Sequence, residues 1–262
     1  MAAVGRPTAL VLLHGGSLDV SAERDNPAIG AIVDAGYPGF LGGSVIAGTL
    51  LGDNERVGGK LAATVYPAAF VNASRMSDME VDSGVGRGYR FYTGTPVLPF
   101  GFGLSYTTWV YTPLPDPAPP AAGAAAVRTV SLARVQAAAA AHAATGVIGH
   151  IPAGLKEVAA QFWVNVTNTG AVDSDDVVLG FLTPPGAGTN GVPLQELFGF
   201  ERVFVPAGQT VTVYLGAQGV RFCQPDTAGV RHALKGQYKV TFGLKESAAL
   251  GMGFAEFTVL AQ

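Results

Sequence analysis

The chain has 262 residues with a formal net charge of -3, and 48% of them are hydrophobic whereas only 13% are charged. This composition excludes a disordered chain, because disorder requires low hydrophobicity and high charge. The near balance of 16 Lys+Arg and 19 Asp+Glu provides no basic surface for a nucleic acid, and no apolar run reaches the ~18 residues of a membrane span. We therefore predict a globular chain with neither nucleic acid nor membrane as a partner.

The N-terminal segment and the cysteine count say little about the compartment. The apolar run Thr8–Leu13 is too short for the core of a signal peptide followed by a cleavage site, so no leader is visible. Cys223 is the single cysteine of the sequence, which excludes an internal disulfide.

Residues 1–110 predict an α/β region. The run Thr8–Leu13 is typical of a strand that is buried on both faces of a parallel sheet, and Asn26-Pro27 resembles a helix cap followed by a first-turn proline. Further short elements are predicted along this region: a strand at Ala31–Val33, a helix at Gly43–Leu51 and a strand at Lys60–Tyr66. Three short strands are few for a parallel sheet with helices on both faces, so the region is predicted to be incomplete.

Residues 111–153 differ from both flanking regions. Thr112–Pro120 is rich in proline and is predicted to be extended and semi-rigid. Ala121–Ala144 is dominated by alanine, and Leu132–His142 has good helix propensity but little to pack. We interpret the segment as a linker or insert without functional content.

Residues 154–262 change to a hydrophobic period of two, which is typical of strands with one buried face. Turn signals such as Asn168-Thr169-Gly170 and Pro206-Ala207-Gly208 separate the runs. About seven short strands at this spacing predict an immunoglobulin-like β-sandwich. The predicted strands contain Phe162–Val166, Val177–Leu182, Arg202–Val205, Val211–Leu215, Val220–Phe222, Tyr238–Phe242 and Phe254–Leu260.

Local motifs for nucleophilic or metal chemistry are weak. His14-Gly15-Gly16 follows a predicted strand, as in esterases whose loop amides form an oxyanion hole, but no Gly-x-Ser-x-Gly nucleophile motif accompanies it. A tight glycine turn is therefore favoured. The histidines are scattered and predict no metal set, while Asp173, Asp175 and Asp176 form a turn that either binds calcium loosely or is simply solvated.

The carboxylates outside that turn are strung along the proximal region, so the sequence alone pairs none of them. A retaining glycosidase needs two carboxyl groups about 5–5.5 Å apart. Surface solvation or capping is the default role of these acids, which are Asp19, Glu23, Asp25, Asp53, Glu55, Asp78, Glu80 and Asp82. The aromatic and glycine-rich stretch 88–106 suits either sugar stacking or a contact between domains, with the contact favoured.

Taken together, these segments resemble glycoside hydrolase family 3, in its β-xylosidase and α-L-arabinofuranosidase branch. Both halves carry the resemblance, and only the Ala/Pro-rich segment lies outside it. The matching segments are Gly15–Val20, Ala31–Gly43, Leu51–Pro67, Met76–Met79, Tyr89–Gly94 and Pro99–Thr107, then Asn168–Gly170, Leu197–Val203, Pro206–Gly208 and Gly236–Tyr238.

The resemblance implies a fold in two parts. Residues 1–110 would be the C-terminal part of the family's α/β sandwich domain, 111–153 a linker or insert, and 154–262 a fibronectin type III-like domain. The fold class is thus a partial α/β sandwich followed by an all-β, immunoglobulin-like sandwich.

The family's catalytic carboxylates would both lie upstream of Met1, on a barrel domain and on an earlier loop. The resemblance therefore implies no catalytic residue in this chain, no cofactor and no metal. Loops at Asp78, Met79, Tyr89 and Arg90 would supply substrate contacts.

The full-length protein would be an extracellular or cell-wall retaining enzyme that cleaves xylo-oligosaccharides or arabinosides in hemicellulose, with this chain inactive by itself. A non-catalytic fibronectin-like module that binds carbohydrate or a partner domain is the alternative. Two sequons make Asn72 and Asn165 glycosylation candidates.

Four positions depart from the family pattern. Asp34 and Val65 each replace an expected Trp, Phe40 an expected Gln or Glu, and Ala62 an expected Pro. An unpaired acid at position 34 inside an apolar strand would cost several kcal/mol on the order-of-magnitude scale for buried charges. We therefore expect Asp34 to be exposed, or the sequence to have drifted at this position.

Overall fold

The computed structural model describes residues 5–54, 56–114, 128–144 and 151–262. These residues form two compact units that divide between Tyr106 and Thr107. Glu55, His150 and the middle of the predicted linker, residues 115–127 and 145–150, lie outside the described residues.

The first unit is built on two parallel strands joined through a short helix. Strand β1 (Thr8–Leu12) pairs with β2 (Ile29–Asp34) in a register that ends with Leu12 opposite Asp34. The helices of this unit are α1 (Ser21–Arg24), α2 (Gly42–Leu51), α3 (Phe70–Ala73) and α4 (Gly88–Phe91). The strand predicted within Thr8–Leu13 and the helix predicted at Gly43–Leu51 are confirmed. The expected burial of this strand on both faces is not, because none of its residues is fully buried and Leu13 lies exposed beyond its end.

Two predictions for this unit are wrong. Lys60–Tyr66 is not a strand, because only Val65 forms an isolated bridge, to Leu98. Asn26 does not cap a helix: its Oδ1 accepts a hydrogen bond from the Ala28 amide at 3.0 Å, which closes a local turn of the kind that asparagine favours.

The first unit leaves much apolar surface uncovered. Its core is small, with Val20, Val65 and Val97 buried. Helix α2 and the turn before it expose large apolar side chains: Tyr37, Phe40, Leu41, Val45, Leu50 and Leu51. Parallel sheets are normally covered on both faces, so this surface has the character of a face that packs against further protein.

The second unit is a β-sandwich of a three-stranded and a five-stranded sheet, which confirms the predicted fold class. The smaller sheet has the order β3-β5-β8 and the larger one the order β4-β12-β11-β6-β7. The strands of the smaller sheet are β3 (Trp109–Leu114), β5 (Val158–Asn168) and β8 (Thr210–Gln218). The larger sheet contains β4 (Arg128–Val130), β6 (Ser174–Thr183), β7 (Glu196–Val205), β11 (Gly236–Gly243) and β12 (Phe254–Ala261), and a separate β9 (Cys223–Pro225) pairs with β10 (Arg231–Ala233).

The core of the second unit consists of the inward side chains of both sheets. Phe162, Tyr238 and Phe242 are fully buried within it. This arrangement follows from the period-two pattern, because alternate residues of a strand point to opposite faces.

The described parts of the segment 111–153 take part in the second unit. Strand β3 pairs with β5, β4 pairs with β12, and helix α5 (Ala133–Ala143) places Val135 and Ala139 in the core cluster. Helix α6 (Ala153–Lys156) follows. The expectation that Leu132–His142 has little to pack is therefore wrong, because Leu132 is also buried in this cluster. The absence of functional content in the segment stays a prediction.

One predicted strand of the second unit is wrong. Val220–Phe222 lies in a 3-10 helix, Gly219–Phe222, rather than in a strand. The turn buries both Val220 and Phe222, so two apolar residues at a spacing of two are satisfied without an extended backbone.

Candidate functional site

Asp78 and Met79 lie in a loop of the first unit that follows α3 and leads to α4. Arg87, at the far end of the loop, donates through Nε to Ser74 Oγ at 2.9 Å and through Nη2 to the Arg75 carbonyl at 3.2 Å. The Arg87 amide also donates to the Val81 carbonyl at 2.8 Å. These bonds close the loop on itself and fix where Asp78 and Met79 are presented.

Asp78 is held as an anion. Hydrogen bonds from the Ser83 side chain and from the Glu80 amide, with a smaller contribution from Arg87, lower the pKa of its carboxyl group. The Arg87 Nη2 atom lies 4.0 Å from Asp78 Oδ2, and the carboxylate remains partly exposed. Such a group can accept hydrogen bonds from the hydroxyls of a ligand, beside the Met79 side chain, which is 84% exposed.

Tyr89 and Arg90 lie in α4, directly after Arg87. The Tyr89 ring stacks on Phe100 with centroids 4.4 Å apart, and the Arg90 guanidinium lies 5.2 Å from the centroid of the Phe91 ring. Both side chains are partly buried. The Tyr89–Phe100 stack therefore ties α4 to the later part of the aromatic stretch. Arg87, which directly precedes α4, lies next to Asp78 and links the loop to this helix.

A second aromatic group supports the start of α4. The ring of Tyr66 stacks on Phe70 at 4.1 Å and meets Tyr92 edge-on at 4.9 Å. Its hydroxyl accepts a hydrogen bond from the Gly88 amide at 2.5 Å. These contacts pre-order the loop and helix that carry the candidate residues, and the sequence pattern alone did not single out Arg87 or Tyr66.

The proximal carboxylates with shifted pKa values are poorly suited to donate protons. Hydrogen bonds from Ser21 and Ala68 lower the pKa of Asp19, and the bond with Arg24 lowers that of Asp25. A general acid needs the opposite shift at neutral pH. Asp19, Asp25 and Asp78 thus act as fixed anions, and Glu55 lies outside the described residues.

The His14-Gly15-Gly16 turn is engaged in local structure. His14 Nε2 lies 3.1 Å from Asp34 Oδ2, and Gly15 lies so close to the Tyr37 ring that a Cβ atom would be 2.5 Å from it. Asp34 also accepts a hydrogen bond from the Gly36 amide at 3.1 Å. The acid that departs from the family pattern is therefore partly exposed and partnered, at the carboxyl end of β2.

The prediction that Asp173, Asp175 and Asp176 share one turn is wrong for two of them, because Asp175 and Asp176 lie in β6. The three carboxylates do not converge. Asp173 accepts from the Ala207 amide at 2.8 Å, Asp175 pairs with Arg202 at 2.6 Å, and the buried Asp176 accepts from Tyr111 at 2.6 Å. Within the described residues, no group of three or more His, Cys, Asp or Glu side chains could hold a metal ion.

The two sequons differ in setting. Asn72 is exposed on α3, whereas Asn165 lies in the central strand of the three-stranded sheet and accepts a hydrogen bond from Thr212 Oγ1 at 2.7 Å. None of the described helices combines the length and apolarity that crossing a bilayer requires.

Comparison with known proteins finds similarity along both units of the chain. Residues 1–106 match the model of the glycosyl hydrolase family 3 C-terminal domain. The chain is 33% identical to Beta-D-xylosidase 1 of Arabidopsis thaliana over 250 residues, which are 90% of the chain and 30% of that protein. It is 36% identical to Exo-1,4-beta-xylosidase bxlB of Emericella nidulans over 214 residues, which are 80% of the chain and 25% of that relative.

Solved structures agree at the level of the fold. The structure of a GH3 exo-beta-xylosidase, XlnD, bound to a xylobiose aziridine probe matches with a TM-score of 0.79 at 24% identity, and the match covers the whole chain and 31% of that protein. A beta-D-glucoside glucohydrolase from Trichoderma reesei matches with a TM-score of 0.72 at 20% identity and covers the whole chain and 34% of that protein. The chain thus spans about a third or less of the relatives it matches.

Proposed function

The chain belongs to glycoside hydrolase family 3 through its C-terminal domain, and on that premise we propose that it is the C-terminal portion of an extracellular exo-acting β-xylosidase. The observation that carries this proposal is the alignment with a plant β-D-xylosidase over 90% of the chain. That alignment extends well beyond residues 1–106, so both units share the likeness to xylosidases.

In the proposed whole enzyme the reaction is a double displacement with retention. One carboxylate attacks the anomeric carbon, a glycosyl-enzyme intermediate forms, and a second carboxyl group protonates the leaving oxygen and then activates water. Both of these groups belong to preceding domains in our proposal. In this proposal the chain supplies no catalytic carboxylate, and the lowered pKa values of Asp19, Asp25 and Asp78 make these three groups poor general acids.

The proposed contribution of this chain is a wall of the substrate pocket. Asp78, held ionised by Ser83 and the Glu80 amide, would accept hydrogen bonds from sugar hydroxyls, and Met79 would cover an apolar sugar face. Tyr89 and Arg90 would support the wall from α4. Xylosides are the proposed substrates, and arabinosides are a second possible class within the same proposal.

The exposed apolar surface of the first unit supports a position next to further protein. Helix α2 and its preceding turn leave residues such as Tyr37, Phe40 and Leu51 uncovered. Exposed large apolar side chains grouped on one helix and the turn before it are typical of a surface that contacts further protein.

Two measurements on the purified chain test the proposal. Incubation with 4-nitrophenyl β-D-xylopyranoside should release no nitrophenol; turnover that a substitution in one of the chain's own carboxylates abolishes would contradict it. Titration with D-xylose followed by NMR should shift signals of the loop 75–87. That shift should be lost in Asp78→Asn and retained in Asp82→Asn, because Asp82 is an exposed acid of the same loop.

A non-catalytic binding role for the second unit is the alternative function. It is favoured by one observation, a pair of aromatic rings on the outward face of the three-stranded sheet, of which Tyr214 is exposed and Trp163 is partly buried.

A further inference from the structure

The outward face of the three-stranded sheet carries aligned rows of side chains. The pairing of β3, β5 and β8 places Leu114, Trp163 and Tyr214 side by side in one row. The next row consists of Thr112, Asn165 and Thr212, and the third of Val110, Thr167 and Thr210. Because neighbouring strands lie about 4.8 Å apart, each row is a continuous strip across the sheet. We call these nine residues the aromatic face.

The two rings of the first row form a platform in which Tyr214 is the more exposed ring and Trp163 is partly buried. The centroids of Trp163 and Tyr214 lie 5.4 Å apart, with 52° between the ring planes, and Tyr214 is 45% exposed. Gly216 leaves room for the tyrosine to lie along the sheet, since a Cβ atom there would be 2.9 Å from the Tyr214 hydroxyl. The platform is therefore bent rather than flat.

Neutral hydrogen-bonding groups lie next to the rings. Asn165 Oδ1 accepts from Thr212 Oγ1 at 2.7 Å, which fixes the amide so that its Nδ2 group is the remaining donor. Thr167 and Thr210 share a hydrogen bond of 2.8 Å. Amide and hydroxyl groups both donate and accept, as the hydroxyls of a sugar require.

The aromatic face contains no charged side chain, whereas the larger sheet of the same unit does. There, Arg202 pairs with Asp175 at 2.6 Å and Lys239 lies 4.0 Å from Glu256. A solvated sheet face ordinarily carries such polar and charged residues. Aromatic rings with neutral polar neighbours instead match a ligand that is itself uncharged and has both apolar and hydroxyl-bearing surfaces.

We propose that the aromatic face binds a neutral polysaccharide, β-1,4-linked xylan. The C–H face of a pyranose ring packs on Trp163 or Tyr214, where an aromatic ring offers a large apolar surface, while Asn165 and Thr212 hydrogen-bond the ring hydroxyls. Xylan chains twist along their length, and the bent platform suits a twisted chain better than the flat ribbon of cellulose. The choice of xylan rests on the proposed function, whereas the choice of a neutral sugar rests on the sheet face itself.

A purely structural role for the ring pair makes a different prediction. Cross-strand aromatic pairs stabilise sheets, and an aromatic residue often covers a strand glycine such as Gly216. In that case, removing Tyr214 would lower the free energy of unfolding without any effect on a carbohydrate.

The test uses the full 262-residue chain made in bacteria, which leaves both sequons unmodified. Retention on insoluble xylan and titration with xylohexaose are measured for the wild type, Tyr214→Ala and Trp163→Ala. We expect binding to weaken at least about fivefold in each variant, from the ~1 kcal/mol that one aromatic contact contributes. Phe200→Ala is the matched control and should bind as the wild type does, because Phe200 is an exposed aromatic residue of the other sheet, 64% exposed on β7.

Tryptophan fluorescence gives an independent readout. The chain has two tryptophans, and Trp109 is buried, so xylohexaose should change the emission of Trp163. The change should disappear in Trp163→Phe, a variant that keeps an apolar ring in the sheet and therefore separates signal from folding.

Several results would overturn the inference. They are an absence of xylan binding by the wild type, equal binding by all variants, equal retention on cellulose, or a glycan attached to Asn165 in the naturally produced protein that occupies the face. None of these measurements requires glycosidase activity, so their failure leaves the proposed function standing. Conversely, if the natural protein has no xylosidase activity, the argument for xylan as the particular ligand is lost. The binding measurements above would still test whether the aromatic face binds a neutral sugar.

Discussion

Tyr111 Oη donates a hydrogen bond of 2.6 Å to Asp176 Oδ2, and both side chains are buried. Tyr111 belongs to β3 of the smaller sheet and Asp176 to β6 of the larger one, so this bond joins the two layers of the sandwich. The other carboxylate oxygen, Oδ1, accepts from the Val177 amide at 2.9 Å. A carboxyl group at this depth is tolerated because both oxygens have donors.

Tyr111→Phe should destabilise the second unit. The substitution leaves a buried carboxylate oxygen without its tyrosine donor, and losses of this kind cost about 1–3 kcal/mol. Urea unfolding, followed by far-ultraviolet circular dichroism, measures the change. Tyr214→Phe is the control, since Tyr214 is half-exposed, and it should change the free energy of unfolding by less than about 0.5 kcal/mol. Equal effects of the two substitutions would contradict the role given to the Tyr111–Asp176 bond.

Stability should fall in alkaline solution because buried acids resist ionisation. Burial raises the pKa of the Cys223 thiol from 9.0 to about 11, and burial together with the neighbouring Asp176 carboxylate raises the pKa of Tyr111. A pKa that is higher in the folded chain gives stability that is complete below the unfolded value and is lost as the pH rises through the folded value. The free energy of unfolding should therefore decrease from about pH 9 upward.

Cys223→Ala isolates the thiol's share of this decrease. The variant should lose the part of the pH dependence that lies between about pH 9 and 11, on the order of 2 kcal/mol, and keep the part due to tyrosine at higher pH. Urea unfolding at a series of pH values measures both curves. Superimposable slopes for the variant and the wild type between pH 9 and 11 would show that Cys223 is not the responsible group.

Gly103→Ala should destabilise the first unit. A Cβ atom at position 103 would overlap the Gly59 carbonyl oxygen, at a place where Lys60 Nζ donates to the Gly103 carbonyl at 2.8 Å and the Leu61 amide donates to the Phe102 carbonyl at 2.8 Å. Gly59→Ala is a matched control, because a Cβ atom at position 59 meets no atom within 4 Å. Limited proteolysis with mass spectrometry should show faster cleavage within residues 56–106 for Gly103→Ala alone.

Calcium should have no effect on stability. The carboxylates of Asp173, Asp175 and Asp176 are each engaged by a different protein donor, so they are not arranged to surround one ion. Thermal unfolding in 5 mM calcium chloride and in excess EDTA should give the same Tm. A rise of Tm in calcium that Asp173→Asn abolishes would restore the calcium interpretation of this turn.

Regular patterns made parts of the fold predictable. The alternation through Phe162, Val164 and Val166 identifies β5, because residues two apart share a strand face. The predicted helix at Gly43–Leu51 is followed by Gly52, which adopts φ 88° and ends it. The strand predicted at Lys60–Tyr66 is wrong because an apolar run does not reveal whether a partner strand lies beside it. The strand predicted at Val220–Phe222 is wrong because a 3-10 turn can also bury residues that are two positions apart.

The sequence identified individual residues of the candidate site but not how they are arranged in space. Asp78 and Tyr89 came from the family resemblance. The bonds from Arg87 to Ser74 and Arg75 depend on how the loop between them folds back, which the sequence pattern does not reveal. The alternation did place Trp163 and Asn165 on one face of β5 and Tyr214 and Thr212 on one face of β8. Only the register, Trp163 opposite Tyr214, brings the two sets together, and the period of two tells which face a residue takes but not which residue lies opposite it.

The measurement that tests the central claim most directly is capture of the natural gene product with an antibody against the second unit, followed by sizing and an assay on 4-nitrophenyl β-D-xylopyranoside. The account predicts a band several times heavier than the 26.8 kDa of this chain, with xylosidase activity in the captured material. A band at 26.8 kDa without xylosidase activity would contradict it, and the chain would then be a non-catalytic module.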